Sequence, residues 1–437
     1  MRIAVMMRHA TEDGGTGTYT RELVKRLLQQ RPAFDFDLLL DEPAHEAEWG
    51  GYRNARTVVL KSAGRLAWDQ WSVPNYCNTE NIDVIFNPKH SMPMLAKAPC
   101  VFVLHGADWF VVPENYGRSL RAYQAVALPL YLRKAAHTIS VSEESRQRLI
   151  ARYPFCADRS STVHHGVSAR FQPVTDERRL EEVRARYGLP ERFVLYLGLI
   201  YRQKNVAGLL EAFRRLLPSV PHDLVLAGRP AFGGERDLGL LGDPAVAERV
   251  HRPGWVADED LPALLSLAEL FAFPSHYEGF GIPLLEAMAC GTPVVTSTSG
   301  ACPEVVGDAA LTVDSADPEA IAAAMFRLLN DPLLGADLSE RGIERARLFN
   351  WDTAAARTLM VLEAVGRRHK PELPVPPGLA PAVELRRRSP VPNPSMVSSA
   401  KLRPVASAGL PCKEWIPATG WVHGLTGRDR YSPRSGR

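Results

Sequence analysis

The sequence predicts an α/β protein of two doubly wound domains. Three observations carry this. Short apolar runs alternate with helical patterns along the chain, the rhythm restarts once near the middle, and loops rich in glycine or polar residues follow several of the runs. At 437 residues the chain exceeds what one ordinary core organises, so two domains plus a further segment are expected.

The elements follow in order. "RIAVMM" (2–7) is a buried strand and "EDGGTG" a turn. In "TYTRELVKRLLQQ" (18–30), Tyr19, Leu23, Val24, Leu27 and Leu28 fall on one helical face. "FDLLL" (36–40), "IDVIFNP" (82–88), "CVFVLHG" (100–106) and "HTISVS" (137–142) are further strands. Their near-continuous apolar character suits a parallel sheet covered on both faces. After "VHHGVSARFQP" and the charged helix "DERRLEEVRARYGL" (176–189) the pattern begins again. "RFVLYLG" (192–198) is a strand and "NVAGLLEAFRRLLP" (205–218) a helix. "HDLVLAG" (222–228), "LFAFP" (270–274), "TPVVTS" (292–297) and "ALTVD" (310–314) are strands. The expected division is 1–180 for the first domain, 181–368 for the second, and 369–437 for a tail.

Charge separates the tail from the body. Residues 370–437 hold eleven Lys/Arg against four Asp/Glu, a net of +7, whereas residues 1–369 hold 41 against 45, a net of −4. A body of that sign lacks the basic stripe that neutralises phosphates, so nucleic acid is not an expected partner. The tail carries 12 of the 35 prolines and no periodicity, so disorder is expected there. No apolar run reaches the ~18 residues of a spanning helix. The start reads as a strand, not a signal peptide. Six scattered cysteines without a CxxC pair argue against structural zinc or a disulfide scaffold and fit a reducing cytosol.

In doubly wound sheets ligands bind at the carboxyl ends of strands, often over a helix N-terminus. That rule selects Gly14, Gly15 and Gly17 after the first strand, His105-Gly106-Ala107-Asp108 after "CVFVL", Arg202-Gln203-Lys204-Asn205 after "RFVLYLG", and "SHYEGFGIPLLEAMACGTPVVTS" (275–297) after "LFAFP". In the last, Glu278 stands in a glycine-rich turn with Gly279, Phe280 and Gly281, and Glu286 stands about a turn into the helix that begins near Pro283. The helix N-terminus suits a phosphate. A carboxylate in the turn can hold sugar hydroxyls, and one on the helix can accept two hydrogen bonds from a vicinal diol. The spacing fits a nucleotide sugar lying across the helix start. Two other features carry less. Adjacent His164 and His165 point to opposite faces of a strand, which suits packing or a cleft wall rather than a metal. Asp35-Phe36-Asp37 reads as an alternating strand start, not a metal-binding DxD.

The Glu278–Glu286 stretch resembles the E-x7-E signature of the group 1 glycosyltransferases, the retaining family 4, of GT-B fold. "YLGLIYRQKNVAGLLEAF", "ACPEVVGDAALTVD" and "LFNWDTAAART" resemble the second domain of that family. "GGTGTYTRELV", "LHGADW", "ISVSEESRQRL" and "HHGVSARFQP" resemble the first domain, especially of mannosyltransferases. The likeness covers residues 1 to about 365. It implies two facing Rossmann-like domains with an interdomain cleft. It implies a catalytic set of Glu278 on the donor sugar, His105 near the anomeric centre, and Lys204 on the diphosphate. Donor contacts are implied for Gly15, Gly17, Arg202, the backbone of Gly279, Phe280, Gly281 and Leu285, and for Glu286 on the ribose. The family's usual arginine positions hold Leu199 and Gln203 here; either Arg202 has taken over the contact or the loop is shifted by one residue.

No metal and no cofactor beyond the donor, GDP-mannose or a UDP-hexose, is implied. The expected acceptor is a glycan or lipid-linked sugar, and the expected setting is the cytoplasm, with peripheral contact of the basic tail with an anionic membrane. Two alternatives remain at this level: an NAD(P)-dependent Rossmann oxidoreductase, although GxGxxG is absent, and an inactive sugar-nucleotide-binding module.

Overall fold

The computed structural model describes residues 1–11, 14–43, 46–89, 91–113, 116–374 and 378. The expectation of a disordered tail, and Cys412, lie outside the described residues.

Two parallel sheets form. The first contains β1 (Arg2–Met6), β2 (Asp35–Leu40), β3 (Ala55–Val59), β4 (Val84–Asn87), β5 (Cys100–Leu104), β6 (His137–Ser140) and β7 (Ser160–Thr162), in the order β3-β2-β1-β4-β5-β6-β7. The second contains β8 (Phe193–Leu197), β9 (Asp223–Ala227), β10 (Val250–Gly254), β11 (Leu270–Phe273), β12 (Val294–Ser297) and β13 (Leu311–Val313), in the order β10-β9-β8-β11-β12-β13. Both are doubly wound. Strand order reverses between β1 and β4 in one sheet and between β8 and β11 in the other, and those are the points where such sheets take ligands.

Alternate residues of each strand feed different cores, which is why the runs are apolar throughout. Ile3 and Val5 pack on one face of the first sheet with Leu23, Leu27, Val361 and Leu362. Ala4 and Met6 pack on the other with Trp68, Val73, Leu128 and Leu132. Asp37 of the Asp-Phe-Asp triplet is buried on β2 and paired with Arg2 at 2.9 Å and Arg56 at 3.3 Å, a structural role.

One helix crosses from the second half of the chain to the first sheet. The helix Trp351–Gly366, placed with the second domain, packs against the helix Gly15–Gln30 and β4 of the first. Gln30 Nε2 donates to the Asp352 carbonyl at 2.9 Å, and Arg357 reaches the Thr162 carbonyl at 3.1 Å. The apolar stripe of this helix is legible in its sequence, but a stripe does not say which sheet it will cover. The helix Glu177–Tyr187, which spans the expected boundary, packs on Leu261–Leu267 of the second domain.

Candidate active site between the two sheets

The loops after β8 and β11 are stitched to each other before any charge is considered. Asn205 adopts a left-handed conformation at φ 57°, which an asparagine tolerates. Its Oδ1 accepts from Gly208 N at 3.2 Å and caps the helix Val206–Leu216. Its Nδ2 donates to the Pro274 and Ser315 carbonyls at 3.0 and 2.7 Å. Gln203 Nε2 donates to the Tyr277 carbonyl at 3.0 Å, and His276 N donates to the Gln203 carbonyl at 2.8 Å. The departure at position 203 therefore has a structural function: the glutamine binds the neighbouring loop.

That stitching brings Lys204 and Glu278 together. Lys204 Nζ donates to both carboxylate oxygens of Glu278, at 2.7 and 2.9 Å. The ammonium also stands 5.1 Å from the Phe273 ring centroid and 5.8 Å from that of Tyr201. Burial works against the charged lysine, but the Glu278 carboxylate outweighs it and holds the Lys204 pKa above the ordinary lysine range. The site thus contains a fixed cation and a fixed carboxylate at the switch point of the second sheet.

The helix Ile282–Ala289 begins directly after this turn. Gly281, at φ 100°, makes the entry in a conformation that side-chain-bearing residues rarely adopt. Gly15, the first residue of the helix Gly15–Gln30 in the other domain, faces it: a Cβ built on Gly15 would lie 4.0 Å from Ile282 Cδ1. Two helix N-termini therefore approach each other across the domain junction. Gly17 is buried within the first turns of its helix. Phe280 and Leu285 are also buried, so their side chains serve the core and only their backbone remains for a ligand. Arg202 is exposed; its charge is felt by Asp237.

Glu286 lies apart from the Lys204–Glu278 pair, with Arg170 and Asp258 as its charged neighbours. It is 9% exposed, and no hydrogen bond to its carboxylate occurs among the described residues. Burial raises its pKa to about 7, with Arg170 opposing the shift. A buried carboxyl of this kind has unused acceptor capacity.

His105 ends β5. Its Nε2 contacts the Pro88 carbonyl at 2.6 Å, and its ring meets Tyr19 edge-on at a centroid distance of 4.8 Å. Its backbone is where the domains touch: a Cβ on Gly279 would fall 1.8 Å from the His105 carbonyl oxygen and 2.7 Å from Gly106 Cα. Only glycine permits that approach.

Three residues without an assigned role in the sequence reading converge here. Asp108 opens a short turn three residues after His105 and accepts from the Tyr116 hydroxyl. Burial raises its pKa to about 6; the Glu278 charge adds to the shift and Lys204 opposes it. Tyr277 reaches from the second domain into the first, where its hydroxyl accepts from Ala107 N at 2.9 Å and donates to Glu144 at 3.0 Å. Glu304, in the "ACPEVV" stretch, caps the helix Glu143–Arg152 of the first domain. Its carboxylate accepts from Glu143 N at 2.8 Å and Glu144 N at 2.9 Å. His164 and His165 divide as their opposed faces require. His164 Nε2 meets Glu304 Oε1 at 2.7 Å, while His165 is buried among Tyr19, Phe280 and Trp351. No cluster of three or more metal-ligating side chains occurs among the described residues.

Two Rossmann-type sheets whose switch points share one site of opposed helix N-termini and buried charge define a GT-B glycosyltransferase. Comparison with known proteins agrees. The profile described as "Glycosyltransferase Family 4" matches residues 13–171 and that of "Glycosyl transferases group 1" matches residues 191–331. The O-antigen chain mannosyltransferase B of Escherichia coli is 32% identical over 375 residues, covering 79% of this chain and 94% of that protein. The D-inositol 3-phosphate glycosyltransferase of Salinispora tropica is 31% identical, covering 84% and 74%. The structure of Anabaena HepE in complex with UDP and glucose superposes with a TM-score of 0.68 at 20% identity, covering 83% of this chain and all of that one. The chain belongs to glycosyltransferase family 4.

Proposed function

We propose that the chain is a retaining hexosyltransferase, with mannose the favoured sugar. It moves the hexose from a nucleotide-diphosphate donor, GDP-mannose or a UDP-hexose, to a glycan or lipid-linked acceptor in surface-polysaccharide synthesis at the cytoplasmic side of the membrane. The observation that carries this is the Lys204–Glu278 pair, set beside the His105–Gly106 backbone in the turn that leads into the helix Ile282–Ala289. Support for mannose and for the polysaccharide comes from the 32% identical O-antigen mannosyltransferase.

The residues take these roles. The anomeric C–O bond of the donor breaks and its electron pair passes to the diphosphate. Lys204 and the N-termini at Gly15 and Ile282 stabilise that charge, and such preorganised electrostatics supply the larger part of the rate in closed sites. Arg202, exposed at the rim, contacts the diphosphate as it leaves. Glu278 holds the donor sugar's hydroxyls and keeps Lys204 charged. His105 fixes the sugar at its reacting end, Gly17 lets the first-domain backbone approach the phosphates, and Glu286 accepts the ribose diol. The acceptor oxygen forms the new bond on the face that the phosphate leaves, and its proton passes to the departing phosphate oxygen.

The test is a donor panel of GDP- and UDP-hexoses with mass detection of released nucleotide, followed by nuclear magnetic resonance of the product's anomeric centre. Release with GDP-mannose and an α-linked product is expected. An inverted product removes the retaining assignment, and preference for a UDP-hexose removes mannose.

A further inference from the structure

A cavity of about 590 Å³ lies at the amino-terminal edge of the first sheet. Pro99, His137 and Arg159 line it, each at or directly before the start of β5, β6 or β7. Arg368 and Lys370, in the segment that follows the helix Trp351–Gly366, line it as well. His105 and the loop it begins leave the opposite edge of the sheet, so the cavity is no part of the cleft between the sheets.

The lining carries four cations, Lys97, Arg159, Arg368 and Lys370, against one carboxylate, Asp158, a net of +3. Residues 1–369 have a net of −4, so this charge is local. Lys370 Nζ and Asp158 Oδ1 stand 3.8 Å apart and both side chains are exposed, so solvent screens the pair. The side chains of Lys97 and Arg368 have no partner among the described residues. Arg159 is half-buried and donates from one nitrogen to the Arg133 and Ala135 carbonyls, at 3.2 and 2.9 Å. Those bonds fix the guanidinium without neutralising it. His137 is buried in the same wall. Its Nε2 meets Ser161 Oγ at 2.9 Å, while its Nδ1 has no partner among the described residues. Burial, and then the charges of Arg146 and Arg159, push its pKa down to about 4, so the ring is neutral.

Arg368 stands there in a strained conformation. It adopts φ 61° at the end of the helix, where His369 N donates to the Ala364 carbonyl at 2.7 Å and Arg368 N to the Val365 carbonyl at 3.0 Å. Glycine is the usual residue at that position, because a side chain strains the left-handed backbone. The favourable effect of a cation after a helix C-terminus accounts for Arg368 but not for Lys97 or Arg159, which line the cavity from other segments.

We propose that this cavity binds a soluble phosphate monoester of the size of a sugar phosphate, at a second site separate from the donor cleft. Guanidinium forks and a lysine around an uncompensated positive charge suit a phosphate dianion. The volume falls in the range of small-molecule sites and leaves room for the organic part beside the phosphate.

A lipid headgroup fits less well. None of the large exposed apolar side chains lines the cavity, so the anchor of an interfacial contact is lacking. Residues 370–437, with their net of +7, do not supply the counter-charge. The site does not depend on the transferase reading above.

The experiment uses the full chain at constant ionic strength. Glucose 6-phosphate and glucose are titrated calorimetrically into wild type, Lys97→Gln and Arg368→Gly, with GDP as competitor. Wild type should bind one glucose 6-phosphate and no glucose, and excess GDP should not displace it. Each variant should bind it roughly tenfold more weakly. Arg368→Gly, which puts the usual glycine at the left-handed position, should unfold thermally at or above the wild-type midpoint, so its lost affinity is not a loss of fold. Absence of binding by wild type overturns the site, as does wild-type affinity in either variant. Displacement by GDP would move the ligand to the donor cleft. Sedimentation with phosphatidic acid vesicles in place of binding to the soluble ester would assign the cations to a lipid. Either result also overturns the proposal. Failure to bind GDP, with glucose 6-phosphate binding intact, would count against the transferase reading alone.

Discussion

The Glu304 carboxylate of one domain lies 2.7 Å from His164 Nε2 of the other and caps the helix Glu143–Arg152 with two further backbone hydrogen bonds. Hydrogen bonding to His164 and to those backbone N–H groups outweighs burial and holds its pKa below the ordinary glutamate range. Arg345 secures the turn that presents it, bonding the Glu304 and Val305 carbonyls at 2.6 and 3.0 Å. Glu304 is therefore a tie between domains rather than a group that meets substrate.

Replacing that carboxylate should loosen the closed arrangement. Glu304→Gln keeps the size and one acceptor but loses the charge at the helix N-terminus, at a cost of about 1–2 kcal/mol. Denaturant unfolding measures this. The sign with pH follows from the depressed pKa: the contribution is present above the unfolded glutamate value and is lost as pH falls through the folded one. The wild-type and Glu304→Gln stability curves should thus converge in acid and separate by pH 6. Parallel curves would show that the carboxylate's charge contributes nothing to closure.

Lys204 and Glu278 were legible as separate contacts, one to phosphate and one to sugar, and the structure joins them. Removing Glu278 leaves an ammonium of low exposure without its hydrogen-bonded counter-ion, so Glu278→Gln should cost roughly 3 kcal/mol of stability. Turnover should fall about a hundredfold or more. Lys204→Met in the Glu278→Gln background should restore part of the stability and none of the activity. If the double variant is less stable than Glu278→Gln alone, the two side chains are not coupled as the geometry requires.

Glu286 gives a pH prediction. Its carboxyl is raised to about 7 by burial. A diol that donates two hydrogen bonds favours the ionised form, so nucleotide binding should release a proton below pH 7 and tighten as pH rises through that value. Calorimetry in buffers of different ionisation enthalpy reads the proton directly. Glu286→Gln should abolish both the proton release and the pH dependence. Proton uptake on binding by wild type would remove Glu286 from the nucleotide site.

What the sequence showed and what it hid have physical causes. Central strands such as "VVTS" and "LFAF" are covered on both faces and read as apolar runs. β3, β7 and β10, which were not recognised, lie at sheet edges. Their sequences "ARTVV", "SST" and "VHRPG" carry too few buried side chains to stand out. Lys204 and Glu278 could be found because each follows a strand at a switch point. Tyr277 and Glu304 could not be weighted in the same way, because their partners lie in the other domain at large sequence separation, and Asp108, bonded locally to Tyr116, meets the charges of Glu278 and Lys204 only in the folded chain. The signal was present in one form: Glu304 stands in a stretch already singled out, directly after Pro303, with no local cation to pair with.

The backbone contact between Gly279 and His105 gives the sharpest steric test. A Cβ at residue 279 would fall 1.8 Å from the His105 carbonyl oxygen and 2.7 Å from Gly106 Cα, both backbone atoms that no rotamer change can move. The carbonyl of Gly279 is itself held by Ser142 Oγ at 2.7 Å, and Tyr277 is fixed through Ala107 and Glu144, so the turn cannot slide aside without breaking those bonds. Gly279→Ala should therefore leave each sheet intact but prevent the domains from meeting as they do here. Each sheet has its own buried strands, so circular dichroism should be unchanged and the midpoint of thermal unfolding should shift by only a few degrees. Small-angle scattering should show a larger radius of gyration, and turnover should fall by about two orders of magnitude, because a misplacement of the order of 1 Å has that effect on an aligned reaction. Nucleotide binding, made chiefly by the second domain, should change less than turnover. Wild-type turnover in Gly279→Ala would show that the contact between His105 and Gly279 is not required in the reacting state.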